Sequence, residues 1–394
     1  MSSASASKVE NVVRASPRAA ETNLEFELLV ACTSPFQPGA TRELRWHGLD
    51  YDRILLLAQH HGVIPQLSAA MEQAAPEVPA AFLQRLREES LKNTRQALWL
   101  TRELFRILAQ LKARNVDALP YKGPVLAELL YHNVAARQFS DVDILILERD
   151  LPIAVAALHE LGYEPGIELT PRQERAYLRS GYEYTFDSEN GRNLVELQWN
   201  VLPKFYSVDL TTQALLERSR VVTFGGQTIR TLSSEDLLIV LCLHAAKHAW
   251  AQLSWLSDIA RLAQTQPMDW DSVGRTTSSL GIARIVAVTF SLCERLWKEK
   301  IPGVLDTGDV HEPILREQLK LLAAGEELDA ESIAYFRRMV QVRERRSDRI
   351  RFVWRLATTS SVGEWSAIRL PAQLFPLYGA VRVYRLAKRF LTNR

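Results

Sequence analysis

The sequence predicts an α+β fold, a small mixed sheet with helices set between helical N- and C-terminal flanks, and three observations carry that reading. Between residues 24 and 114, apolar side chains such as Ile54, Leu57, Ala58, Leu100, Leu104, Ile107, Leu108 and Leu111 recur at three- and four-residue steps, the period of a helix that buries one face. From Val116 to about Pro203 the period changes, and short β-like runs alternate with helical ones. From Ser233 the pattern is helical again.

In chain order, residues 1–22 are rich in Ser and Ala with scattered charges and no apolar core, so they read as a disordered leader and not as a secretory signal. Residues 23–115 form a helical N-terminal region. The α/β core, residues 116–205, opens with a strand over 116–121. A helix follows from Pro124, then a strand over 141–147 and a helix from Leu151. Two strands over 182–186 and 194–199 alternate apolar with polar residues around a turn that contains Asn190 and Gly191, the pattern of an antiparallel hairpin. Residues 206–335 read as a helical C-terminal domain. Ser233 and Asp236 stand at capping-box spacing before an apolar run that continues as helix past Trp255 to about Ala263; Trp250 and Trp255 are expected in the core. Residues 336–394 form a basic helical tail. Pro371 and Pro376 break it, and its last helix sets Val381, Tyr384, Leu386 and Phe390 among Arg382, Arg385, Lys388 and Arg389.

Composition limits the function classes. The chain has 394 residues, 47% hydrophobic and 24% charged, room for two or three domains of roughly 100–200 residues, and it is neither disordered nor collagen-like. Its net charge of +2 does not mark the whole molecule as a nucleic-acid binder, but residues 336–394 carry +11, which leaves −9 for the rest. An anionic partner or a membrane surface is therefore expected at the tail, whose aromatic side chains lie among its arginines. Cys32, Cys242 and Cys293 are too far apart for a zinc or redox pair, and a reducing, cytoplasmic location is expected. The apolar run over 237–246 is too short for a transmembrane segment of about 20 residues.

The chemistry concentrates in a few stretches. On a strand, residues two apart share a face, so Asp141 and Asp143 project together while Val142, Ile144 and Ile146 point inward. Two adjacent carboxylates repel unless a cation sits between them, and hard Mg²⁺ with oxygen ligands is the usual solution. Glu196 is a lone acid in an otherwise apolar strand, sharing its face with Gln198. Should its strand lie beside 141–147, the three carboxylates can hold two metal ions about 4 Å apart, the clamp of an in-line phosphoryl displacement. Upstream, Lys122 and Gly123 close a strand before a helix with Pro124 in its first turn, where backbone N–H groups and a lysine can approach a phosphate. His244 and His248 lie one helical turn apart, a spacing that suits metal ligation or a satisfied core pair; with Lys247 and Asp258 they form a candidate secondary pocket.

A glycine turn, a helix, an Asp-x-Asp strand 18 residues later and a third acid on a later strand resemble the polymerase-β-type nucleotidyltransferase superfamily. Lys122-Gly123, Leu126, Tyr131, Arg137, Asp141-Val142-Asp143, the run from Val195 to Trp199 and the run from Leu241 to His248 with Leu253, Trp255 and Asp258 together resemble the bacterial uncharacterised nucleotidyltransferase family (NTP_transf_5), over roughly residues 100–265. The resemblance implies a polymerase-β-like core with Asp141, Asp143 and Glu196 as catalytic metal ligands. It implies Lys122 and Gly123 at the nucleotide phosphates, with Arg137 and Ser140 supporting the loop or the substrate. The cofactor is then Mg²⁺ or Mn²⁺, as two ions, and the substrate a nucleoside triphosphate whose NMP group passes to a hydroxyl of a protein, an RNA, or a small molecule or sugar. Pro124 lacks an N–H at the turn, and Gln198 stands where the family often has histidine. These departures motivate a catalytically silent nucleotide- or RNA-binding module as the alternative, and the basic tail a membrane- or complex-associated interaction protein.

Overall fold

The computed structural model describes residues 23–36, 48–73, 77–188, 194–303, 312–329, 332–359, 365, 368, 370, 374 and 377–392. The leader expected over 1–22, the Asn190-Gly191 turn and the breakers Pro371 and Pro376 lie outside them, as do the side chains of Leu386, Arg389 and Phe390.

Three helices open the described chain: α1 (Leu24–Cys32), α2 (Tyr51–His60) and α3 (Ile64–Gln73). The 34-residue α4 (Ala80–Ala113) follows, with Leu100, Leu104, Ile107 and Leu111 buried along one face, the stripe its period predicts. Then come β1 (Ala118–Pro120), α5 (Gly123–Tyr131), β2 (Asp141–Ile146), α6 (Leu151–Glu160), β3 (Tyr163–Pro165), α7 (Pro171–Ser180), β4 (Glu183–Ser188) and β5 (Leu194–Gln198). The strands form one sheet in the order β1-β2-β5-β4-β3. All neighbours are antiparallel except β2 and β5, which run parallel with Asp143 opposite Glu196. The short edge strand β3 and helix α7, which begins at a Thr170 capping box, have no counterpart in the sequence reading.

After α8 (Thr212–Glu217), residues placed in a helical domain by the sequence form a hairpin, β6 (Arg220–Phe224) with β7 (Gln227–Thr231). Gly225 and Gly226 both have positive φ at its turn, which glycine adopts without the Cβ penalty. Helix α9 (Ser234–Lys247) starts where expected, with the Ser233 side chain accepting from the Asp236 amide. It does not run on past Trp255. Ala249 and Trp250 adopt φ of 51° and 53°, the fully buried Trp250 donates its indole N–H to Thr289 Oγ1, and a separate α10 (Leu253–Thr265) begins. Burial of one large ring outweighs helical propensity here. Helices α11 (Trp270–Leu280), α12 (Ala283–Trp297), α13 (Glu312–Ala324), α14 (Ile333–Gln341), α15 (Arg346–Thr358) and α16 (Tyr378–Thr392) complete the order. Among the described residues no helix is long and apolar enough to cross a membrane.

Two apolar clusters result. Val142, Ile144, Ile146, Val195, Leu197 and Trp199 pack with α4 and α6 on one side of the sheet. On the other side, Leu119, Tyr121 and Leu145 join α1–α3 and the helices from α9 onward in a second cluster. The sheet is thus covered on both faces, and among its polar residues Asp141, Asp143, Glu183 and Glu196 emerge in a gap bordered by α4, α9 and α10.

Candidate active site

The pairing register assembles the acidic group. Residues opposite one another on neighbouring strands share a face, so Asp141, Asp143 and Glu196 project together. Gln198 joins them from β5, and Glu183, paired with Gln198, from β4. Around them α9 supplies His244, Lys247 and, just past its end, His248, α10 supplies Trp255, and α4 supplies Glu89, Lys92, Asn93 and Gln96. With Lys122, Arg137, Ser140 and Tyr182 these side chains, the buried Gln198 excepted, line a cavity of about 700 Å³.

Nine of the residues singled out from the sequence therefore meet in one cavity, and two do not. Gly123 does not line it. Its φ is +53°, and a Cβ there would stand 2.9 Å from the backbone oxygen of Asp141; glycine is needed so that the start of α5 can pass against the start of β2. Asp258 lies behind the wall. It is 1% exposed and accepts from Arg137 Nε and from the Tyr131 hydroxyl, both at 2.8 Å, so it fixes a cavity-lining cation and does not itself face the cavity. Trp255, assigned to the core, lines the cavity, whereas Trp250 is fully buried.

The hydrogen bonds divide the carboxylates unequally. Lys122 Nζ donates to Asp143 Oδ1 at 2.8 Å. Gln198 Nε2 lies 2.9 Å from Glu196 Oε2, 3.2 Å from Asp143 Oδ1 and 3.3 Å from Glu183 Oε2, its two hydrogens facing three acids. The buried Tyr121 hydroxyl holds this amide by donating to Gln198 Oε1 at 2.6 Å. Asp143 Oδ2, also buried, has no partner among the described residues. Glu183, Tyr121 and Tyr182 were missed from the sequence. The alternation of Glu183 with Thr185 and Asp187 on the polar face of its strand is the signal that would have flagged the first.

Burial and the neighbouring carboxylates make ionisation here unfavourable. Burial and Asp143 push Asp141 up to about 6; burial, Asp143 and Glu183 push Glu196 up to about 9. Burial pulls the Lys122 ammonium down, but Asp143, Tyr121 and Glu196 together outweigh it and hold it above its ordinary range. Lys247, stacked over the Tyr182 ring at 4.8 Å and donating to its hydroxyl, is lowered by burial despite Glu183.

These residues fit a hard divalent cation. The donors are all carboxylate oxygens, one buried oxygen is unsatisfied, and burial with mutual repulsion disfavours ionisation of Asp141 and Glu196, a penalty a cation would relieve. Among the described residues no three His, Cys, Asp or Glu side chains form a ready cage, so the carboxylates alone would leave part of a cation's coordination to substrate oxygens.

The model of the uncharacterised nucleotidyltransferase family (NTP_transf_5) matches residues 47–298, a span that contains the sheet, the cavity and α9 through α12. No curated protein matches. Similar solved structures include the antibiotic-resistance factor ANT(2'')-Ia in solution, at 14% identity and a TM-score of 0.33 over 45% of this chain and 88% of that one. The same factor in complex with adenylyl-2''-tobramycin gives equal identity and TM-score over 45% and 94%. An antigenic nucleotidyltransferase-like protein from Paracoccidioides brasiliensis matches at 14% identity and a TM-score of 0.28, over 53% and 93%.

Proposed function

The chain belongs to the uncharacterised nucleotidyltransferase family, and from that premise we propose that it is a metal-dependent enzyme moving an NMP group from a nucleoside triphosphate to an acceptor hydroxyl. The observation that carries this is the parallel pairing that sets Asp143 opposite Glu196, with Asp141 on the same face, at the wall of a cavity also lined by Lys122, Arg137 and Lys247.

Asp141, Asp143 and Glu196 would hold Mg²⁺ or Mn²⁺, as two ions, which when bound neutralise charge on the triphosphate. The remaining work falls to the chain's own groups. Lys122 and Arg137 meet the phosphates from the sheet side, with Arg137 held by Asp258 and Ser140 at the exposed rim. The acceptor oxygen bonds to the α-phosphorus as the bond from that phosphorus to the bridging oxygen breaks, and pyrophosphate departs with the electron pair. The hydroxyl proton passes to a carboxylate oxygen of the acidic cluster, which a bound cation would keep ionised. Catalysis of this kind is positioning and charge stabilisation. The acceptor is a protein, an RNA, or a small molecule or sugar, and the basic C-terminal helices meet an anionic partner.

The test is incubation with each α-³²P-labelled NTP, Mg²⁺ or Mn²⁺ and a cell lysate, with Asp141→Asn alongside. Transfer by the wild type alone, released label being distinguished by its nuclease or protease sensitivity, supports the enzyme and classifies its acceptor. Metal-dependent nucleotide binding without transfer would replace it with the silent binding module.

A further inference from the structure

One wall of the cavity has no part in the chemistry above. His244 in the last turn of α9 and His248 at its C-cap stand with ring centroids 4.8 Å apart, and Trp255 from α10 closes a triangle at 5.0 Å from the first and 5.3 Å from the second. All three rings line the cavity. Two histidines at this spacing invite a metal reading, but the side chain that joins them is an indole, which supplies no ligand, and among the described residues no third His, Cys, Asp or Glu completes a set. The cluster is therefore an aromatic surface.

From this we propose that His244, His248 and Trp255 form the stacking wall for the nucleobase, so that the cavity selects a whole nucleoside triphosphate over a bare polyphosphate; the inference rests on the nucleotidyltransferase reading of the same cavity. A nucleotide is a polyanion joined to a planar heterocycle, and the cavity has both counterparts. Its cationic part adjoins the triangle: Lys122, Lys247 and Arg137 all add to burial in depressing the His244 imidazole, which keeps that ring neutral. Neutral aromatic faces stack on any base through its π-surface. Gln252, immediately before α10, also lines the cavity and offers an amide to a base edge.

Binding titrations with Mg²⁺ compare inorganic tripolyphosphate with ATP, GTP, CTP and UTP on the full chain. In the wild type the tightest NTP should bind at least about tenfold better than tripolyphosphate, the worth of one stacked base. Trp255→Ala and His248→Ala should remove about that factor from the NTP and leave tripolyphosphate unchanged, and Trp255→Phe should recover most of it. His248 is exposed, so its substitution keeps the test available if Trp255→Ala does not fold. Equal wild-type binding of tripolyphosphate and the best NTP, or a parallel loss of both in the variants, would overturn the stacking wall and leave the nucleotidyltransferase reading standing. Binding of neither would overturn both.

Discussion

At the scale of single residues, the carboxylates are not interchangeable. Asp141 is half-buried and among the described residues carries no ion pair of its own, so Asp141→Asn is expected to abolish the proposed transfer with little change in stability. Asp143 is the buried partner of Lys122, and removing one member of such a pair strands the other charge at a cost of about 3–5 kcal/mol. Asp143→Asn should therefore lose both activity and stability, and adding Lys122→Met should restore stability alone; urea denaturation beside the transfer assay separates the two. A second residue-scale prediction concerns His61. It is fully buried, its Nε2 bonding the Leu322 carbonyl and its Nδ1 accepting from the Leu253 amide, an arrangement only the neutral ring satisfies. Burial and His60 lower it from 6.5 to about 4. The unfolded chain thus binds the proton first, and the stabilisation, complete above pH 6.5, fades as pH falls toward 4. The expected loss is about 3 kcal/mol, and His61→Gln should flatten denaturation midpoints across that range. The placement of Asp141 and Asp143 on one face was legible because alternation is a local property of a strand. Glu183 was not, because its place in the cluster depends on register with β5, set by pairing across the sheet.

At the scale of elements, the turn between β1 and α5 shows the limit of a motif. The sequence marks Gly123 as a phosphate contact, whereas the structure gives it a steric reason, a positive φ and backbone approach to Asp141. Gly123→Ala should destabilise by at least about 1–2 kcal/mol, the cost of a left-handed non-glycine residue, and the 2.9 Å contact should displace the start of β2. Thermal unfolding measures the first effect, and weakened binding of Mg²⁺, for which Asp141 is a proposed ligand, would report the second. Strongly periodic elements such as α4 and α9 were readable in sequence. The break between α9 and α10 was not, since an apolar run around Trp250 and Trp255 is equally compatible with one helix or two, and the Thr289 partner that fixes Trp250 comes from α12. The β6–β7 hairpin escaped notice for a simpler reason: five-residue strands give little periodicity, and only Gly225-Gly226 announces the turn.

At the scale of the whole molecule, α1–α3 precede the sheet in sequence yet share an apolar cluster with the C-terminal helices, and Ser257 Oγ donates to the Thr33 carbonyl across that junction. Truncation before residue 48 should consequently destabilise the wall formed by α9 and α10, lowering NTP affinity as well as melting temperature. The charge asymmetry belongs to this scale too. On α15 Ile350, Val353 and Trp354 are exposed, as are Val383 and Tyr384 on α16, among the arginines that make the tail basic. Removal of residues 364–394 should reduce salt-sensitive retention on an anionic matrix, measured by elution ionic strength. What the sequence by itself determined is what depends on near neighbours along the chain: the helical flanks, the mixed α/β centre, the Asp-x-Asp face, the caps and the charge of the tail. Tertiary structure alone decided which strands adjoin, that β2 and β5 run parallel, that Asp258 stands behind Arg137, and that an aromatic triangle at the junction of α9 and α10 lines the same cavity as the acids. Those relations arise from burying both faces of one sheet at once, a constraint satisfied between residues distant in sequence, and no local pattern encodes it.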